Sequence, residues 1–215
     1  MQKLGFDATA FADDMNAWKA YRLSKNAPAP HEPVLSELAA AQRELHLWGA
    51  ANQVLFDPAK ESFHILHRTL YHGDDFKVLG CVFDVQLLMH AAARHVAIEA
   101  GWRLKSLLRT RRYFTTPDLV RLYKAQILSF VESSTPALYH ASATTLFRID
   151  RIQDRFLREL GLTELQALKD FRLAPLSSRR DMGMLGLLHK VTLGKAPPQL
   201  STLFPRRRAI PEPYW

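Results

Sequence analysis

A mainly helical α+β protein is what this sequence predicts, with its strands confined to the first 84 residues. Two patterns carry that expectation. Apolar side chains stand at every second position at Leu4, Phe6, Ala8 and Ala10, the period of a half-buried strand, and short β-like runs recur as far as Phe83. Beyond Asp84 the apolar spacing changes to three and four residues, the period of a helix face.

Size and composition set the outer limits. At 215 residues, 47% of them hydrophobic, the chain can bury a core in one or two domains. It has no apolar run of membrane-helix length and no charged-then-apolar secretory start, so a soluble, intracellular protein without a membrane partner is expected. The single Cys81 can form neither an intramolecular disulfide nor a cysteine zinc cluster. Against 21 acidic residues stand 29 basic ones, a net charge of +8, which is the footprint of a protein that neutralises phosphates.

The elements follow in order. The alternating run from Leu4 and a second segment from Met15 to Tyr21, with Trp18 and Tyr21 as strand-favouring bulk, predict a β-hairpin with its turn on Ala12, Asp13 and Asp14. Pro28, Pro30 and Pro33 predict a loop over 24–33. A helix is expected to open at Ser36-Glu37 and to end near Gly49. Asn52 to Phe56, Ser62 to His67 and Phe76 to Phe83 read as three short β-like pieces, with Gly80 at a bulge or bend. Residues 86–109 read as helical with a kink or break at Gly101.

Thr116-Pro117-Asp118 carries a cap candidate and a first-turn proline, and predicts a helix with Leu119, Leu122, Tyr123, Ile127 and Phe130 on one face. A further helix runs from about Ala143 to Leu160 and stops at Gly161. Thr163-x-x-Gln166 has the form of a capping box, and the last helix is placed at Met182 to Leu193, ended by Gly194. Five prolines among residues 196–215 predict a disordered tail, whose Arg206-Arg207-Arg208 run has the form of a weak nuclear signal.

Asp13 and Asp14 are candidate metal ligands, although aspartates at a strand end also serve as plain turn residues. Two basic stretches are candidate phosphate contacts. Arg103, Lys105, Arg109, Arg111 and Arg112 lie in a run without an acidic residue and with aromatics interleaved. Arg148, Arg151, Arg155 and Arg158 share one helical face, with Asp150, Asp154 and Glu159 near enough to pair with several of them.

Four pieces stand in one order: Phe11-Ala12-Asp13-Asp14, then Trp48-Gly49 with Asp57-Pro58-Ala59-Lys60, then Phe76-Lys77-Val78-Leu79-Gly80, then Ile149-Asp150-Arg151-Ile152-Gln153 in a helical segment. Together they resemble the reverse transcriptase of non-LTR (LINE-like) retrotransposons, from its catalytic aromatic-Ala-Asp-Asp motif through its thumb, over roughly residues 3 to 193. Leu176, Arg179-Arg180-Asp181 and Leu185 to His189 resemble the helical segment after the thumb. The resemblance implies a palm portion over 1–84, a helical thumb over 85–161, post-thumb helices over 162–195 and a basic, proline-rich tail over 196–215.

It further implies an RNA-directed DNA polymerase, a nucleotidyltransferase that uses an RNA template, a DNA primer and deoxynucleoside triphosphates. Asp13 and Asp14 would be catalytic, metal-binding carboxylates for two magnesium ions, one activating the primer hydroxyl and one stabilising the pyrophosphate. Lys60 would sit near the triphosphate, Phe76, Lys77, Leu79 and Gly80 would grip the primer, and the basic run from Arg103 to Arg112 would hold the duplex. Phe11 replaces the more usual tyrosine. In the family the first catalytic aspartate and the fingers precede the Asp-Asp motif, so these 215 residues are expected to bind magnesium weakly and not to polymerise alone. The alternative is a non-catalytic RNA- or DNA-binding module derived from such an element.

Overall fold

A computed structural model describes residues 5–11, 14–21, 31–67, 74–198, 200 and 204. It is mainly helical with two small antiparallel sheets, and divides into two compact units, Met1–Phe63 and His64–Trp215. Among the described residues no helix is long and apolar enough to cross a membrane.

In the first unit β1 (Asp7–Phe11) pairs antiparallel with β2 (Asp14–Trp18), in a register that sets Phe11 opposite Asp14 and Asp7 opposite Trp18. Phe6 is buried just before β1, whereas Ala8 in the strand is exposed, so the alternation marks the hairpin without burying one whole face of it. Helix α1 (His31–Ala51) begins five residues earlier than the expected Ser36. Pro33 lies in its first turn, where the missing N–H would have had no intrahelical acceptor. Glu37 of α1 accepts from Lys19 Nζ at 2.6 Å and from the Tyr21 hydroxyl at 2.9 Å. These bonds, the lysine's first, hold its carboxyl below the usual carboxylate range.

Neither Asn52 to Phe56 nor Ser62 to His67 forms a strand. The amide of Asn52 donates to the Trp48 and Gly49 carbonyls, and that of Val54 to Gly49, so the backbone donors that would build a ladder satisfy the end of α1 instead. Gly49 lies inside the helix rather than at its end. A Cβ there would meet the Val54 carbonyl oxygen at 2.6 Å and the Phe56 ring at 2.7 Å, so the wrapped segment requires glycine.

In the second unit Phe76 to Phe83 is two strands rather than one piece: β3 (Phe76–Val78) and β4 (Cys81–Phe83), joined through Leu79 and Gly80. Asp84 then sets the start of α2 (His90–Arg109), its carboxylate accepting from the amides of Leu88 at 2.7 Å and His90 at 3.2 Å. The helix therefore starts after residue 86. It runs through Gly101 without a break, because Gly101 is where α6 (Ala143–Leu160) approaches: a Cβ there would lie 3.8 Å from Ile152 Cδ1.

Helix α3 (Thr116–Tyr123) is capped by Thr115, one residue earlier than Thr116, with its side-chain oxygen accepting from the Asp118 amide. It continues through a π-helical turn, Lys124–Leu128, into α4 (Ser129–Ser133), followed by α5 (Thr135–Leu138). Helix α6 ends on Gly161 at φ +66°, and α7 (Glu164–Phe171) opens with the expected Thr163–Gln166 capping box. The last helix, α8 (Leu176–Thr192), starts six residues before Met182, directly after Pro175.

The core of this unit is built mainly by α2, α3, the π turn, α4 and α6, joined by Leu138 of α5, Ala167 of α7 and Leu176 of α8, with Tyr123 and Phe156 stacked at 4.2 Å between ring centroids. Burial, reinforced by the charge of Asp154, raises the Tyr123 hydroxyl well above its ordinary pKa. That hydroxyl faces the Gln153 amide oxygen at 3.4 Å, and Gln153 in turn donates to the Ala174 carbonyl at 3.0 Å.

Candidate functional site

Asp14 is not part of the turn as expected: it is the first residue of β2, paired across the hairpin with Phe11, and it is exposed. Asp13 lies outside the described residues, as does Arg206-Arg207-Arg208 with most of the predicted tail. Carboxylate oxygens are the ligands magnesium takes, so Asp14 fits one position of such a site. Among the described residues no three His, Cys, Asp or Glu side chains are gathered to hold a metal.

Lys60 closes a 3₁₀ turn, Pro58–Lys60, that Asp57 caps by accepting from the Ala59 amide at 3.1 Å. Its ammonium is almost fully exposed and 3.8 Å from the Asp57 carboxylate, a loose surface pair. No hydrogen bond or ion pair joins Lys60 to Asp14.

Phe76, Lys77, Leu79 and Gly80 are brought together on one hairpin. Leu79 at φ +48° and Gly80 at φ +82° form the two-residue connection, a conformation that glycine takes freely and leucine only at a cost. Leu79 is nonetheless 60% exposed, so no burial offsets that cost. Positive φ at both positions is what the tightest two-residue hairpin turn demands. Behind it the Phe76 ring stacks between His64 at 4.4 Å and Phe83 at 5.6 Å, which stiffens the hairpin base.

The basic run does not act as a block. Arg103 is tied into the fold: it pairs with Glu99 at 3.1 Å, donates to the Gln126 carbonyl at 3.0 Å and lies 4.0 Å over the Phe130 ring. Arg111 pairs with Glu159 at 2.7 Å, and Arg112 lies over Tyr113. Lys105 and Arg109 are exposed on α2, Lys105 with its ammonium 5.0 Å from the Trp102 ring.

One polar cluster escaped the sequence reading. Glu61 accepts from Gln42 and meets His46 Nε2 at 2.7 Å, beside an open cavity of about 630 Å³ lined by Gln42, His46, Leu47, Leu55 and Phe56. The four-residue spacing of Gln42 and His46 on one helix was a visible signal; Glu61 beyond the turn was not. Comparison with protein-family models, with curated proteins and with solved structures finds no match for this chain.

Proposed function

We propose that this chain carries the C-terminal palm and thumb portion of a retroelement reverse transcriptase, and that these residues by themselves do not polymerise DNA. One observation carries the reading. The Phe-Ala-Asp-Asp run spans the connection of an antiparallel hairpin whose register pairs Phe11 with Asp14, the setting in which such a motif presents carboxylates at a tip. The turn with Lys60, the hairpin with a strained, exposed Leu79 and the helical remainder follow in the order the resemblance requires. Bound magnesium would supply charge neutralisation at phosphate oxygens, and Asp13 and Asp14 would be among its ligands. Leu79 and Gly80 would lie against a primer strand, with Lys77 available to a phosphate.

The test is binding to an RNA–DNA primer–template junction with and without magnesium. Magnesium is expected to strengthen binding by the wild type and not by the Asp13→Asn/Asp14→Asn variant. A wild type indifferent to magnesium, with a variant that binds equally or more tightly, favours the second reading, a non-catalytic nucleic-acid-binding module. That reading draws on the basic surface of the unit His64–Trp215, which contains neither aspartate.

A further inference from the structure

The segment 54–61 is fastened to α1 at both of its ends. The Val54 amide donates to the Gly49 carbonyl at 2.8 Å, and the Glu61 carboxylate is held by Gln42 through one oxygen and by His46 Nε2, at 2.7 Å, through the other. Those two anchors, Gln42 and Gly49, stand about 10 Å apart along the helix at 1.5 Å per residue. The chain from Val54 to Glu61 can reach about 24 Å, so its surplus length stands off α1 and encloses the open cavity of about 630 Å³. Its walls are held apart by the Phe56 ring, set against Gly49 and 5.8 Å from the His46 ring, and by the Asp57-capped turn Pro58–Lys60.

Helix α1 gives the cavity Arg43, Leu47 and Ala50, at steps of four and three residues along one stripe, with Gln42 and His46 beside it. Val54, Leu55 and Phe56 form the facing wall. Leu47 is 70% exposed and Leu55 95%, so both walls are apolar and wet. Arg43 is the one permanently charged side chain on the lining among the described residues, where no ion pair or hydrogen bond engages it. The neighbouring acids are spent: Glu61 has both oxygens covered, and Asp57 caps its turn and pairs loosely with Lys60. With Nε2 donating to a carboxylate, the His46 ring keeps Nδ1 for another partner.

We propose that this cavity is a binding site for a small amphipathic carboxylate, a medium-chain or aromatic acid about 10 Å long, the span from Arg43 to Ala50 on α1. Its head pairs with the Arg43 guanidinium and its apolar body lies between Leu47 and Leu55. A volume within about 300 to 1,000 Å³, apolar walls and a few convergent polar groups are the make-up of a small-molecule site. One cation and no acid on the lining select a single negative charge. Both anchors of the segment are made without ligand, so little ordering is lost on binding. The site lies within Met1–Phe63 and uses neither Asp13 nor Asp14, so it stands apart from the polymerase reading.

The test titrates the full chain with anilinonaphthalene sulfonate, read by fluorescence, and displaces that probe with octanoate, octanol or octyltrimethylammonium below their micellar concentrations. Saturable probe binding is expected, with octanoate displacing it at about tenfold lower concentration than octanol, the advantage of one charge-assisted pair. Arg43→Gln is expected to erase that advantage and leave displacement by octanol unchanged. Leu55→Asn, at a position too exposed to endanger the fold, is expected to weaken octanoate about tenfold. The control, Leu185→Asn at an exposed leucine of α8, is expected to change neither. Absence of saturable probe binding, octanoate no better than octanol, a preference for octyltrimethylammonium, or an Arg43→Gln variant that keeps the advantage overturns the proposal. A loss in the control as large as in Leu55→Asn overturns it too, since the probe then reports scattered apolar surface. Sedimentation showing a dimer that Leu55→Asn breaks and octanoate does not overturns it in favour of an interface between two copies.

Discussion

The units Met1–Phe63 and His64–Trp215 hold similar kinds of apolar residue and bury them very differently. Among the described residues the first buries Phe6, Val34 and Ala41, while Leu47, Trp48 and Trp18 stay exposed and Leu55 is 95% accessible. In the second, five helical segments close over Met89, Leu104, Tyr123, Ile127, Ile149 and Phe156, all at 1% accessibility or less. The difference lies in partners rather than in content. A helix buries its apolar stripe only against a complementary stripe, and among the described residues the second unit supplies several such helices where the first has one α-helix and a small hairpin.

The largest expected effect tests that contrast directly. Phe156→Ala removes one half of the Tyr123 stack from a site with no room to collapse, and is expected to cost about 3 to 5 kcal/mol in urea unfolding. Phe6→Ala removes a ring of the same size from the thinner unit and is expected to cost about 2 kcal/mol or less, because fewer packed neighbours surround it. Equal costs for the two would break the comparison. A smaller effect is expected at Gly161, where φ of +66° ends α6. Gly161→Ala should lower stability by about 1 kcal/mol, and a variant as stable as wild type in thermal melts would show the cap to be dispensable.

The smallest effect near neutral pH becomes visible in alkali. In the fold Tyr123 stays protonated well above its ordinary pKa, whereas an unfolded tyrosine ionises near pH ~10. The folded value is the raised one, so this contribution is fully present below pH ~10 and is lost as pH rises beyond it. Tyr123→Phe should therefore lose less stability than wild type between neutral and strongly alkaline pH, measured by urea unfolding at each pH. At pH 7 it should cost about 1 kcal/mol or less, since the hydroxyl makes one long hydrogen bond. Parallel pH profiles for the two proteins would assign the alkaline loss to other groups.

Where local chemistry decides, the sequence was readable. The stop at Gly161, the Thr163–Gln166 capping box, the pairing of β1 with β2 and the helical character beyond residue 84 all follow from patterns local in the sequence. It misled where a distant partner decides. Gly101 has the form of a helix break and is instead the seat of Ile152, and Asn52 to Phe56 has strand composition and is instead wrapped on the end of α1. The charges divide in the same way. Arg103 and Lys105 are two residues apart, yet the first is engaged by Glu99, Gln126 and Phe130 and the second faces solvent.

Local sequence alone set the mainly helical α+β class, an antiparallel hairpin within residues 7–18, the excess of positive charge and the helix ends closed by their own caps. Tertiary structure decided which charges are free. Asp150 and Glu159 look in sequence like neighbours that neutralise the α6 arginines, and the fold turns them to Arg180 and Arg111. The reason is physical: spacing along one helix fixes which side chains can meet, but a carboxylate with two reachable partners goes to the one that also satisfies packing, and that partner lies 30 residues away in one case and 48 in the other.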